Sequence, residues 1–132
     1  ATVFKGKGDV PARARMYSDS KTVSYENLVK VAASTALAGR APFDEPLAMI
    51  VTVRMVPPAS DSGKKRAAKL AGSILPTKLP DLDNVVKAVL DGCNKVAFRD
   101  DALVVRLVAE KAYAETPGVD VMINPIQRRA AA

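Results

Sequence analysis

The segment that most constrains the fold is residues 46–56. Leu47, Met49, Val51, Val53 and Met55 alternate with Ala48, Ile50, Thr52, Arg54 and Val56, and Pro57-Pro58 ends the run. Period-two alternation puts one set of side chains on each face of an extended strand, and proline cannot continue a sheet ladder. Such a strand needs partners and a layer of helices over its more apolar face.

The rest of the chain supplies candidates for both. Val3 and Phe4 suit a short strand. Residues 22–38 read as a helix with Val23, Leu28, Val31, Thr35 and Leu37 near helical spacing and Gly39 as its stop. Residues 82–94 read as a second helix. Its apolar stripe is Leu82, Val86, Val89 and Cys93, and its polar side is Asp83, Lys87, Asp91 and Asn94. Residues 102–111 alternate again, with Leu103, Val105, Leu107 and Ala109 on one side. After the Pro117-Gly118 turn, Val119, Val121 and Ile123 form a last short strand. Ser62 can cap a short helix over 63–71 inside a basic segment, 59–80, expected to be mobile.

The expected class is α+β: a single small domain with one mixed or antiparallel sheet packed against two main helices. It spans residues 1–123, with 124–132 as a flexible C-terminal tail. At 132 residues the chain has room for one ordinary domain. About half of it is apolar, enough for a core without disulfides or structural metal. Cys93 is the one cysteine and there is no histidine. Internal disulfides, multi-cysteine zinc sites and His-based catalysis are therefore excluded. No apolar stretch is long enough for a transmembrane helix, and the N-terminus lacks a signal-peptide core. A reduced, intracellular setting is expected.

Charge is unevenly distributed. The formal net charge is +6, yet residues 1–80 hold 13 basic and 6 acidic side chains while 81–132 hold 7 and 8. The basic part suits a phosphate backbone. The acidic part contains Asp81-Leu82-Asp83 at the mouth of a helix, Lys87 one turn later, and Asp100-Asp101 before a strand. Hard divalent cations prefer carboxylate oxygens, and Mg²⁺ commonly combines one or two of them with waters and phosphate. A metal so held activates water and neutralises charge on a phosphate, and a lysine can share the second task.

Other readings of these residues are weaker. A haloacid-dehalogenase-type motif at Asp81 needs an apolar strand just before it, where Pro76 to Pro80 stand. An EF-hand loop needs Gly where Val86 stands. The structural alternative makes Asp83 a helix cap, Asp81 a turn residue and Lys87 the i,i+4 partner of Asp83. Asp100 reads as a turn or supporting residue, Asp91 as a solvated or structural helix residue, and Phe98 and Tyr17 as packing residues.

The run Pro80-Asp81-Leu82-Asp83-Asn84-Val85-Val86-Lys87-Ala88-Val89-Leu90-Asp91, followed by Val96-Ala97-Phe98-Arg99-Asp100-Asp101, resembles the RusA-type Holliday-junction resolvases. Val10 to Arg15 is similar to that family's basic N-terminal segment, and Glu110 to Val119 to its last hairpin. The resemblance implies a homodimeric, Mg²⁺-dependent endodeoxyribonuclease in which Mn²⁺ can substitute. It would resolve four-way junctions by paired symmetric nicks, in the cytoplasm of a bacterium or encoded by a phage or prophage. It implies Asp81, Asp83 and Asp101 as metal-binding carboxylates and Lys87 as the catalytic lysine. Arg13, Arg15, Lys64, Lys65, Arg66, Lys69 and Lys78 are the candidate DNA contacts. The alternatives are a non-catalytic branched-DNA-binding protein of the same fold and a metal-dependent hydrolase of small phosphate esters.

Overall fold

The computed structural model describes residues 2–5, 12–14 and 22–127. Strands β1 (Thr2–Lys5) and β2 (Ala12–Ala14) precede helix α1 (Thr22–Leu37) and strand β3 (Leu47–Met55). Helices α2 (Gly63–Leu70) and α3 (Leu82–Cys93) follow. A 3-10 turn (Asp101–Leu103) then leads into β4 (Val104–Tyr113) and β5 (Gly118–Pro125). The strands form one mixed sheet in the order β2-β1-β5-β3-β4. β3 runs antiparallel to β5 and parallel to β4, and β1 joins β5 in parallel. This is the expected α+β class, with β2 as an addition.

β3 behaves as its alternation predicts. Leu47, Met49, Val51 and Val53 are buried, and with Val119, Val121 and Ile123 of β5 they make the sheet's contribution to the core. α1 and α3 pack on each other over this face. The opposite face is open, with Ile50 and Met122 exposed.

α1 has the expected span but turns a different face inward. Tyr25, Val29, Ala32, Ala33, Ala36 and Leu37 are buried, whereas Val31 is exposed and the Thr35 hydroxyl donates to the Val31 carbonyl at 2.9 Å. Val23 lies among residues whose side chains are not described. The reason is a close helix approach. A Cβ placed on Gly92 of α3 would lie 2.6 Å from the Val29 Cβ. At that separation alanines fit the seam and larger apolar residues do not. α1 ends at Ala38 and Gly39, both at positive φ (51° and 82°). Arg40 donates to the carbonyls of Leu37 and Ala36 at 2.8 and 3.0 Å, satisfying groups the helix end leaves open.

The third region of difference is 102–111. Asp100 accepts from the Ala102 N–H at 3.0 Å and holds residues 101–103 in the 3-10 turn, so β4 begins at Val104. Leu47 pairs with Val104 and Ala48 with Arg106, leaving Val105 as an extra residue. This bulge breaks the expected alternation, and Val105 is 65% exposed. At the other end, β5 runs to Pro125 and the Ile126 N–H donates to the Pro46 carbonyl. The sheet thus extends past the boundary expected at 123.

Gly92→Ala is expected to destabilise the protein by about 1–3 kcal/mol or more, because Val29 and the Glu26 carbonyl, 2.9 Å from the new Cβ, occupy the space. Urea unfolding monitored by circular dichroism measures it; a stability equal to the parent would contradict the close α1–α3 contact.

Candidate metal and nucleic-acid site

Asp81 is the N-cap residue of α3 in extended conformation (φ −68°, ψ 135°), yet its side chain makes no capping hydrogen bond. Its carboxylate is exposed and not committed to the helix. Asp83 is exposed in the first turn, where the positive end of the helix dipole favours a carboxylate. The approach to this end is tethered from the sheet. Lys111 Nζ of β4 donates to the Lys78 carbonyl at 2.8 Å and the Pro80 carbonyl at 3.3 Å.

Asp83, Lys87 and Asp91 follow at i, i+4 and i+8, so they share one stripe of α3, and all three are exposed. Among the described residues Lys87 forms no ion pair, so the alternative pairing with Asp83 is not made. Eight residues of helix separate the backbones of Asp83 and Asp91 by about 12 Å.

The second acidic pair sits on the far side of a buried anchor. Phe98 is fully buried, and its neighbours bond to the loop after α1. The Phe43 N–H donates to Ala97, and the Arg99 N–H to Phe43. This hydrogen-bonded loop carries Asp100 and Asp101 to the start of β4. The Ala102 N–H, followed by a hydrogen bond shared with Asp101, holds the Asp100 carboxyl below the usual carboxylate range. The same shared hydrogen bond raises Asp101, with smaller contributions from burial and from the charges of Asp100 and Asp91. Asp100 therefore carries the negative charge of the pair more readily than Asp101. Asp91, read from sequence as a solvated or structural helix residue, is the helix carboxylate whose charge acts on Asp101.

Among the described residues no three Asp, Glu or Cys side chains stand close enough to hold one metal ion. Asp81 and Asp83 lie at one end of α3, and Asp101 is influenced from Asp91, toward the other. The chemistry of the donors still fits a hard divalent cation, since every candidate is an exposed carboxylate.

The basic residues divide sharply. Lys64, Lys65 and Lys78 are exposed and Arg66 is half-buried. The Ser62 hydroxyl caps α2 by accepting from the Lys65 N–H at 3.2 Å, as its position predicts. Lys69 differs from the other candidate DNA contacts. It is buried, ion-paired to Asp61, and its ammonium lies 5.0 Å from the centre of the Tyr113 ring. The Asp61 hydrogen bond raises the Lys69 ammonium above its ordinary value, against the opposing effect of burial. Its contribution to stability is thus present at neutral pH and lost as pH rises beyond the usual lysine range. Lys69 fastens α2 to the end of β4. Arg13 lies in β2, with its side chain undescribed; Arg15 and Tyr17 lie outside the described residues. Phe98 is a core residue, and so is Cys93, whose thiol burial pushes upward.

The chain matches the family model described as "Endodeoxyribonuclease RusA" over residues 4–124. It belongs to the RusA family. Among curated proteins it is similar to YqaN, an uncharacterized protein of Bacillus subtilis (strain 168), with 41% identity over 83 residues. That match covers 61% of this chain and 58% of YqaN, so the chain spans less than two thirds of this relative. No solved structure matches. The RusA match spans both acidic pairs, Lys87 and the α2 basic cluster. Among the described residues no helix is long and apolar enough to cross a membrane.

Two outcomes follow for the groups placed inside the fold. Lys69→Met is expected to lower stability by leaving the Asp61 carboxylate with only the 4.0 Å contact to the exposed Lys65, while Lys65→Met, which keeps the Lys69 pair, stays within about 0.5 kcal/mol of the parent. Equal effects in parallel urea titrations would refute the division. Cys93 is expected to react with a thiol reagent only after denaturation.

Proposed function

We propose that this protein is a divalent-metal-dependent endodeoxyribonuclease that resolves four-way DNA junctions by paired, symmetric nicks from a homodimer. The observation that supports this best is the RusA match over residues 4–124, a range that contains Asp81, Asp83, Lys87 and Asp101. Two local features agree with it: the Asp81 carboxylate is free of capping duty, and Lys87 is free of an ion pair among the described residues.

In this reading Asp81, Asp83 and Asp101, which are not gathered around one point in this structure, would converge on Mg²⁺ when ion and DNA bind, with Mn²⁺ as a substitute. When bound, the ion supplies an activated water and neutralises charge at the scissile phosphate. Lys87 presents its ammonium to the oxygen charge that develops as the phosphodiester breaks. Asp100 fixes the 3-10 turn through Ala102 and so orients Asp101. Lys64, Lys65, Arg66 and Lys78, with Arg13 and Arg15, grip the DNA backbone. The setting is the cytoplasm of a bacterium, with a bacterial, phage or prophage gene.

The test is a four-way junction labelled on each strand, incubated with Mg²⁺ or Mn²⁺. The parent is expected to give paired nicks that stop on chelation. Asp83→Asn abolishes the product and keeps junction binding, and Lys87→Ala slows cleavage about 100-fold or more. Binding without cleavage by the parent in every metal would instead identify a branched-DNA-binding protein. Undiminished cleavage by Asp83→Asn would remove the site assignment. Neutralising Lys64 and Lys65 together should reduce the salt dependence of binding by about one unit of slope per lost phosphate contact.

A further inference from the structure

Among the described residues β4 has one strand neighbour, β3, so its other edge has no strand partner, and it is exposed from Val105 to Val108 and at Glu110. Open edges of this kind are usually shielded, because unpaired backbone groups there recruit another strand. This one is apolar as well. Val105, Leu107 and Val108 are 65%, 42% and 51% exposed.

The sequence of the edge is self-complementary. Residues 106–110 read Arg-Leu-Val-Ala-Glu. If two copies of β4 pair antiparallel about a two-fold axis at Val108, Arg106 of each copy falls opposite Glu110 of the other. Leu107 falls opposite Ala109, and Val108 opposite its own equivalent. Opposed residues share a face, so both cross-strand contacts are favourable: two opposite-charge pairs outside, two apolar pairs on the helix side. Shifting the register by one residue would break the charge match and place Arg106 opposite Ala109.

The neighbouring strands continue the pattern. Val108 pairs with Ile50 of β3, and Ile50 with Met122 of β5. All three are exposed on the open face. Joining two copies turns this row into one apolar band across six strands. The Val105 bulge closes one end of the usable edge, and the tethered Lys111 closes the other.

We propose that β4 is the homodimer interface, with two copies joined edge to edge about Val108 into one continuous sheet. The proposal rests on the dimeric reading above and gives it a geometry. The two-fold axis of such a pairing stands perpendicular to the sheet, so both α3 helices lie on the same face. Lys111, which holds the carbonyl next to Asp81, is three residues from the axis, about 10 Å along the strand. Both acidic sites would flank the axis on one surface, where a two-fold symmetric junction can meet them together.

The experiment combines cross-linking with charge exchange in the full chain. Val108→Cys is expected to give a covalent dimer on mild oxidation, since opposed residues in an antiparallel pair lie within disulfide range. Ile50→Cys, one strand inward, is expected to stay uncross-linked, and native Cys93 is buried. In sedimentation, Glu110→Arg or Arg106→Glu alone should weaken association about tenfold or more, and the double exchange should restore it. Circular dichroism separates dissociation from unfolding. A dimer that neither cross-links at 108 nor responds to the exchange overturns the β4 interface but leaves the nuclease reading standing. A chain monomeric at all concentrations overturns the interface also. A β4-linked dimer that cuts no junction overturns the nuclease reading alone.

Discussion

Everything in this fold is referred to β3. It is paired on both sides, antiparallel to β5 and parallel to β4, and four of its side chains are fully buried. With apolar burial contributing roughly 25 cal/mol per Å², those side chains and their β5 counterparts anchor the layer on which α1 and α3 rest. The candidate site residues are attached to this layer from two directions. α3 carries Asp81, Asp83, Lys87 and Asp91 across the helix face. The loop anchored by Phe98 delivers Asp100 and Asp101 to the start of β4. Lys111 then links β4 back to the approach of α3.

What could be read from the sequence follows from how local each determinant is. The β3 alternation, the Ser62 cap and the span of α3 depend on neighbours in the chain, and each is found in the structure. The buried face of α1 depends on how near another helix comes. Ala32, Ala33 and Ala36 are weak apolar signals in isolation and good seam residues beside Gly92. The Val105 bulge depends on pairing with β3, which one strand cannot announce. Lys69 looked like part of a basic run because its partners, Asp61 and Tyr113, are brought to it by the fold.

The site was legible in the same uneven way. The reading of Asp81, Asp83, Lys87 and Asp101 rests on the resemblance of their types and spacing, and the RusA match covers the stretch that contains them. Their electrostatic relations were not visible. Asp100 and Asp101 differ because the Ala102 N–H stabilises the Asp100 carboxylate and the hydrogen bond the two share lowers Asp100 while raising Asp101. Asp91 gains its influence on Asp101 only when the 3-10 turn packs beside α3.

The charge distribution connects these points. Like-charged carboxylates on separate elements repel one another, and in exposed positions water screens that repulsion cheaply. A dication among them would reverse the sign of the interaction, and a phosphate backbone held by the basic residues would add anionic oxygens to the same ion. Metal and DNA would then stabilise one another at this site. Such a site is best completed by substrate rather than built in advance. The sheet fixes where the two acidic elements start, and closing the gap between them is left to the ion and the phosphate.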